Sequence, residues 1–250
     1  MNIDLKDTRA LVTGASRGIG KAIAMALMDS GARVVVHYRT EREAAQALVS
    51  PYEGSTTLAA DLNDPRQCVD LFRRAEDALG GINLLVNNAG IAIPSSLDSG
   101  DDWVADWERT MRVNLTASAI LTREAILAAL SRGDLRIVYI GSRAAFRGDT
   151  PDYLAYAASK GGLTSLARSI ARGYGKQGVR SFVVAPGFTR TEMAEDFIRA
   201  YGEDYAMKDI ALDRMTEPRD IAPLVVFLAS GLADHATGTS IDVNAASYVR

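Results

Sequence analysis

The sequence predicts a doubly wound α/β protein: about seven parallel strands with helices packed on both faces of the sheet. Three observations carry that prediction. Short apolar runs alternate with amphipathic stretches from one end of the chain to the other. The runs are rich in β-branched residues, as strands covered on both faces are. The first of them passes through glycines directly into a helical pattern, the arrangement that begins such sheets. With right-handed crossovers, ligands of a sheet of this kind sit beyond the carboxyl ends of its strands, so the chemistry is expected in those loops.

The elements follow in order. Arg9-Ala10-Leu11-Val12-Thr13 is the first strand, and Ile19, Ile23, Ala26 and Leu27 fall at helical spacing after it. Val34-Val35-Val36 reads as a buried strand. Asp64-Pro65 starts a helix, because Asp can accept from free backbone donors and Pro suits the first turn; Cys68, Leu71, Phe72, Ala75 and Leu79 then share an apolar face. Leu84-Leu85-Val86, Ile137-Val138-Tyr139-Ile140 and Phe182-Val183-Val184 repeat the strand pattern, each followed by a helical one. Pro218 opens a helix carrying Ile221, Leu224, Val225 and Leu228, and Ser240-Ile241-Asp242-Val243 is a last strand. Without a linker or an internal repeat, residues 1–250 are expected to form one domain.

Composition narrows the function. The 250 residues are 48% hydrophobic and 24% charged, which supplies a core and argues against disorder. A net charge of -3 offers no broad basic field for nucleic acid or anionic lipid. Cys68 stands alone and His37 and His235 are scattered, so neither an internal disulfide nor a usual zinc site is expected; a reducing compartment and metal-free chemistry fit. The charged segment Asn2-Ile3-Asp4-Leu5-Lys6-Asp7 does not resemble a secretory signal, and no apolar run reaches the length of a membrane span, so a cytoplasmic location is expected.

Two motifs carry chemistry. In Thr13-Gly14-Ala15-Ser16-Arg17-Gly18-Ile19-Gly20, glycines let the backbone turn tightly and aim free amides at the helix start toward a pyrophosphate. The glycine spacing departs from the commoner G-x-G-x-x-G, and alone it would not exclude a plain connection. In Tyr156-Ala157-Ala158-Ser159-Lys160, the phenol and the ammonium lie four residues apart on one helical face. A phenol titrates near 10, and a nearby ammonium favours its ionised form, which makes the pair a candidate acid–base unit. A solvated helical pair is the alternative for such a spacing taken by itself.

Taken together, these residues resemble the short-chain dehydrogenase/reductase family over nearly the whole chain, in the family's motif order. Gly14, Gly18 and Gly20 match its glycine loop, Asn87-Asn88-Ala89-Gly90 the motif after the fourth strand, and Pro186-Gly187 that after the sixth. Asn114, Ser142, Tyr156 and Lys160 match its catalytic tetrad. The resemblance implies a Rossmann-type three-layer fold, usually as a tetramer. It implies that Tyr156 protonates a carbonyl oxygen as hydride reaches the carbon, that Ser142 orients that oxygen, and that Lys160 lowers the tyrosine pKa and holds the nicotinamide ribose. Asn114 would support a water linking the lysine to solvent. Tyr153, lacking a lysine at the matching offset, would line the pocket instead.

For the cofactor, the resemblance adds Ser16, Ile19, Asp61, Leu62, Thr189 and Thr191 to the loop residues, with Asp61 near the adenine and Thr191 near the nicotinamide amide. An NAD site usually carries a carboxylate after the second strand. Here that strand ends His37-Tyr38-Arg39, and Arg39 with Arg17 resembles the pattern that favours NADP, NAD being less expected.

Residues 188–216 match the place of the family's substrate lid, with Phe188, Met193, Phe197, Ile198, Tyr201 and Met207 as its apolar content. Within the family the resemblance points to reductases of 3-oxoacyl thioesters, some acting on acyl carrier protein; a dehydrogenase of a sugar, polyol or small alcohol is the alternative. A catalytically silent dinucleotide sensor is a third reading, disfavoured by the intact tetrad. Carriers are acidic, yet from Phe188 to Met215 seven acids face four bases. Arg143, Phe146 and Arg147 follow Ser142 closely enough to meet a substrate, and Arg143 or Arg147 is expected to steer an anionic or strongly polar carbonyl compound. Two features depart from the family pattern: Gly161-Gly162 after the lysine, the extra glycine either costing about 1 kcal/mol of helix propensity or permitting close packing at a subunit interface, and Val243-Asn244-Ala245-Ala246 in place of Asp-Gly-Gly.

Overall fold

The computed structural model describes residues 3–249, the side chains of Asp196, Phe197, Ala200, Tyr201, Tyr205 and Ala206 excepted. Along the chain run β1 (Arg9–Val12), α1 (Gly18–Asp29), β2 (Arg33–Tyr38), α2 (Arg42–Val49), β3 (Thr56–Ala59), α3 (Pro65–Leu79) and β4 (Leu84–Asn87). Then come α4 (Asp101–Met111), a π-helical turn (Arg112–Thr116), α5 (Ala117–Ala129), β5 (Leu135–Ile140), α6 (Ala144–Arg147) and α7 (Leu154–Tyr174). β6 (Val179–Pro186), α8 (Glu192–Tyr201), α9 (Glu203–Met207), α10 (Pro218–Ala229) and β7 (Ser240–Val243) complete it. All strand pairs are parallel, in the order β3-β2-β1-β4-β5-β6-β7.

Alternation within each strand explains the three layers. In β1, Ala10 and Val12 pack with Ile23, Leu27, Val225 and Leu228 of α1 and α10, while Leu11 points the other way, toward Phe72 of α3 and Leu121 of α5. Both faces are buried, so both alternating sets are apolar, as a parallel sheet between helices requires. β3 is different: its side chains are half-buried or exposed, which is why Thr56-Thr57-Leu58-Ala59 gives no apolar run in the sequence. Local signals hold where they were read. Asp64 accepts the Arg66 N–H at 2.8 Å at the start of α3, and Gly80 ends that helix in the left-handed conformation at φ 68°. Cys68 is fully buried on the α3 face. No helix among the described residues is long and apolar enough to cross a membrane.

The order reverses between β1 and β4, so their connections diverge and leave a crevice at the strands' carboxyl ends, where a doubly wound sheet holds ligands. A cleft of about 630 Å³ opens there. Gly162 answers to this chain's own packing: a Cβ on it would stand 2.7 Å from Leu115 Cδ2 in the π-helical turn, so the small residue lets α7 approach within the protomer.

Candidate active site

The glycine loop is built by its neighbours as much as by its glycines. Gly14 has a φ of +59°, and a Cβ on Gly20 would lie 2.4 Å from both the Gly14 carbonyl oxygen and Asn88 Nδ2. Gly20 therefore sits under the loop and lets α1 start close beneath it, rather than forming the cleft wall. Asn88 fastens the loop from β4: its Nδ2 donates to the carbonyls of Thr13 at 2.8 Å and Gly14 at 3.0 Å. The amides of Asn88 and Ala89 donate in turn to Thr13 Oγ1 at 2.9 and 3.0 Å. Ser16, Arg17, Gly18 and Ile19 line the cleft beyond.

His37 is a part of this wall that the sequence reading did not assign. It is buried at the end of β2, accepts the Gly14 N–H on Nδ1 at 3.0 Å and lies 3.1 Å from the Ala60 carbonyl through Nε2. Those partners require the neutral ring with its proton on Nε2. Burial pushes its pKa down to about 4, against the Ala60 carbonyl and the Asp61 carboxylate, which pull it up. The available signal was its place, one residue before the end of a strand facing the loop.

Past His37 the wall carries Arg39, Asp61 and Leu62. Asp61 Oδ1 accepts the Asn63 N–H at 2.9 Å, so its carboxylate also shapes the turn. Arg39 is exposed, and Arg17 forms an ion pair with Glu192 of α8 across the cleft mouth. On the β6 side, Pro186 and Gly187 lead to Phe188, Thr189 and Thr191, all on the wall. A Cβ on Gly18 would come 3.5 Å from Thr191 Cγ2, so the glycine loop and the start of α8 nearly meet.

The four tetrad positions converge at the centre. Ser142 follows β5, and Tyr156 and Lys160 project from α7; all three line the cleft. Ser142 hydrogen-bonds the Tyr156 hydroxyl, and Lys160 Nζ lies 5.6 Å from the tyrosine ring centroid. Lys160 is 4% exposed and donates to the Ile140 carbonyl at 2.8 Å. Asn114 is wholly buried behind them in the π-helical turn. Its Oδ1 accepts the Ile91 N–H at 2.8 Å, and its Nδ2 donates to the Ile91 carbonyl at 2.9 Å and to Ser159 Oγ at 3.0 Å. Ser159 Oγ donates onward to the Tyr156 carbonyl at 2.7 Å, which locks the first turn of α7 to Asn114. Ser159 lay inside the motif as read, yet this bridging role was not assigned to it.

Two expectations change. Burial pushes the Tyr156 hydroxyl up to about 12, with the Asp149 carboxylate acting the same way and the Ser142 hydrogen bond against both. Burial also holds Lys160 down to about 8. The expected lowering of the tyrosine by the lysine is not among these causes: burial dominates both groups, and the ammonium gives one of its N–H groups to the Ile140 carbonyl. Phe146 does not reach the cleft wall, whereas Arg143, Arg147 and Tyr153 do. Four residues apart, the arginines share a side of α6, and Phe146 lies about 100° round from Arg147. Asp149, absent from the sequence reading, and Asp209, counted there only among the acids of the segment from Phe188 to Met215, join the same wall. Among the lid residues named from the sequence, Phe197 and Tyr201 have side chains outside the described set.

A cradle that glycine alone can form, free amides at a helix start and two cations near its mouth fit a dinucleotide phosphate. The arrangement below it can hold an oxygen between a serine and a tyrosine hydroxyl beside a buried ammonium. Comparison with known proteins agrees with that chemistry. A family model described as Enoyl-(Acyl carrier protein) reductase matches residues 14–245. The chain is 34% identical over 247 residues to a 3-oxoacyl-(acyl-carrier-protein) reductase of Vibrio cholerae, covering 99% of this chain and 100% of that one. It is 33% identical over 246 residues to 3beta-hydroxysteroid dehydrogenase 1 of Eggerthella lenta, covering 96% and 94%. A solved short chain dehydrogenase from Burkholderia cenocepacia, in complex with NADP, superimposes with a TM-score of 0.88 at 33% identity, covering 99% of each chain. Relatives named for such different substrates at 34% and 33% identity leave the substrate to be argued from the site.

Proposed function

Since this chain belongs to the short-chain dehydrogenase/reductase family, we propose that it is an NADP(H)-dependent oxidoreductase interconverting a carbonyl compound and a secondary alcohol through Ser142, Tyr156 and Lys160. The convergence of these three side chains on one cleft wall, with Asn114 locked behind them, carries the reading. The dinucleotide, when bound, supplies the hydride for reduction or accepts it in oxidation. Arg17 and Arg39 hold its 2′-phosphate, the glycine loop its pyrophosphate, Asp61 and Leu62 its adenine, and Asn88, Ala89, Gly90, Pro186, Gly187, Thr189 and Thr191 the remainder.

In reduction, Ser142 donates a hydrogen bond to the substrate oxygen and fixes it against Tyr156. Tyr156, un-ionised at neutral pH, gives that oxygen its proton. Lys160, depressed to about 8, can return a proton to the tyrosine near neutrality. Asn114 holds the start of α7 in register and supports a water path from the lysine. Residues 188–216 act as the lid of a single catalytic domain, with Phe188 and Tyr153 against the substrate. A 3-oxoacyl group is the leading substrate, supported by likeness to the Vibrio reductase; a sugar, polyol or small alcohol is the second class. A cytoplasmic homotetramer is the assembly proposed.

NADPH oxidation with acetoacetyl-coenzyme A and a panel of ketones and polyols tests the reading. Tyr156→Phe is expected to lose about 100-fold or more in kcat while retaining dinucleotide affinity. Replacing Arg17 and Arg39 together by alanine should raise KM for NADPH far more than for NADH. Turnover that survives Tyr156→Phe would refute the acid assignment, and equal effects on the two dinucleotides would refute the NADP preference.

A further inference from the structure

The two arginines of the short segment after Ser142 have different surroundings. Arg147 is paired, donating to Asp209 Oδ2 at 2.9 Å. Arg143 is fixed by its backbone, its N–H donating to the Pro186 carbonyl at 2.9 Å, so it stands between the ends of β5 and β6, one residue beyond Ser142. Its side chain lines the cleft, and its Nη1 is sealed from solvent without a hydrogen-bond partner. A guanidinium cannot relieve that position by losing its proton, since it remains charged at any working pH. The cost of leaving that buried Nη1 unbonded therefore persists until something binds it.

The neighbouring groups narrow what that is. Burial and the like charge of Arg147 disfavour the Arg143 cation, while Asp209 and Asp149 favour it through space. Neither carboxylate is hydrogen-bonded to it: Asp209 is held by Arg147, and Asp149 Oδ1 takes the Thr150 N–H at 2.9 Å. Two cations and two carboxylates already balance in charge, so a dianionic phosphate would meet repulsion from both acids. A singly charged, planar carboxylate suits a guanidinium fork.

Resting on the oxidoreductase reading, we infer that Arg143 is a specificity-determining residue that binds a carboxylate carried a few bonds from the reacting carbonyl, so that oxo acids and their hydroxy acids are preferred over neutral ketones and esters. Its neighbour Ser142 orients the oxygen that is protonated as the carbon takes hydride, and Arg143 fixes the other end of a short substrate. This narrows the 3-oxo class to the free acid, because a thioester brings no charge to that point.

The experiment compares acetoacetate with ethyl acetoacetate, and 4-oxopentanoate with its ethyl ester, as substrates for NADPH oxidation by the wild type, Arg143→Gln and Arg143→Lys. Calorimetric titration of acetoacetate into the NADP-loaded enzyme runs in parallel. The acids should exceed the esters in kcat/KM, and Arg143→Gln should lower that preference about tenfold or more, with partial recovery in Arg143→Lys. Acetoacetate binding should weaken similarly. An acid-to-ester ratio that is the same in wild type and Arg143→Gln, or acetoacetate binding indifferent to the substitution, would overturn the inference. Arg143-dependent acetoacetate binding without reduction of any carbonyl would support the anchor and remove the reductase reading instead.

Discussion

Lys160 shows at the residue scale how this site trades stability for chemistry. Its pKa falls from 10.5 to about 8 on burial, which corresponds to about 3 kcal/mol of disfavoured charge. Below about pH 8 the lysine is protonated in both folded and unfolded chains, and the folded chain bears the whole cost. Between about 8 and 10.5 the unfolded chain binds more protons, so stability rises with pH, and above that range the cost is gone. Lys160→Met keeps the stem's packing, removes the charge and forfeits the hydrogen bond to Ile140, worth about 1 kcal/mol. The variant should be inactive yet more stable by about 2 kcal/mol at pH 7, with the gain gone near pH 10 and a loss of up to about 1 kcal/mol above pH 10.5. Urea unfolding at both pH values checks it; a variant less stable at neutral pH would mean that the ammonium is better solvated than its burial implies.

At the scale of elements, the turn after β7 stores strain beside residues 188–216. Ala245 and Ala246 adopt φ values of 50° and 54°, a region that costs a residue with a Cβ about 1 kcal/mol. The turn is held from two sides. The Ala245 carbonyl accepts the Ala211 N–H at 2.9 Å, and Gly187 packs against Asn244 so closely that a Cβ would come within 2.7 Å of its Cα. Replacing both alanines by glycine should stabilise the chain by about 1 kcal/mol after the flexibility of glycine in the unfolded state is subtracted. A higher urea midpoint at unchanged slope would confirm it, and a lower one would place the alanine methyls in packing that outweighs the strain. The departure from Asp-Gly-Gly was plain in the sequence, but its strain was not, because φ is set by contacts far away in the chain. The same holds for Asn114. Arg112-Val113-Asn114-Leu115-Thr116 has nothing in its composition to separate it from ordinary helix, and only the packing of α4, α5 and α7 around it widens the turn that aims the amide at Ile91. By contrast, the glycine loop and the Tyr156–Lys160 pair were legible because each depends on local geometry: a backbone that excludes Cβ, and a four-residue helical step. β3 was hidden because its side chains never become a buried stripe, and Arg143 and His37 because partners, present or lacking, belong to the tertiary structure.

For the whole molecule, the distribution of charge around the cleft decides whether an acidic carrier protein can dock on it. A carrier held electrostatically needs free cations at the mouth. On the cleft Arg17 is paired with Glu192 and Arg147 with Asp209, and beside it Arg190 is paired with Glu203 and Arg214 with Asp220, which leaves Arg39 and Lys208 as the exposed cations of the cleft wall outside these pairs. The segment from Phe188 to Met215 carries seven acids and four bases, and the chain as a whole is at -3. Pairs this exposed contribute little to stability, but they do cancel the field an approaching anion would feel. A carrier-linked 3-oxoacyl group should therefore have a KM that stays flat or falls as salt rises from about 50 to about 500 mM, since screening removes repulsion rather than attraction. A docking enzyme would show the reverse, a KM climbing steeply over that range. Running the assay beside the free 3-oxo acid makes the comparison internal. If Arg143 binds the acid as inferred, inside the cleft where screening is weak, the acid's KM should move little, and a carrier KM that climbs while the acid's does not would establish a docking surface that this charge pattern argues against.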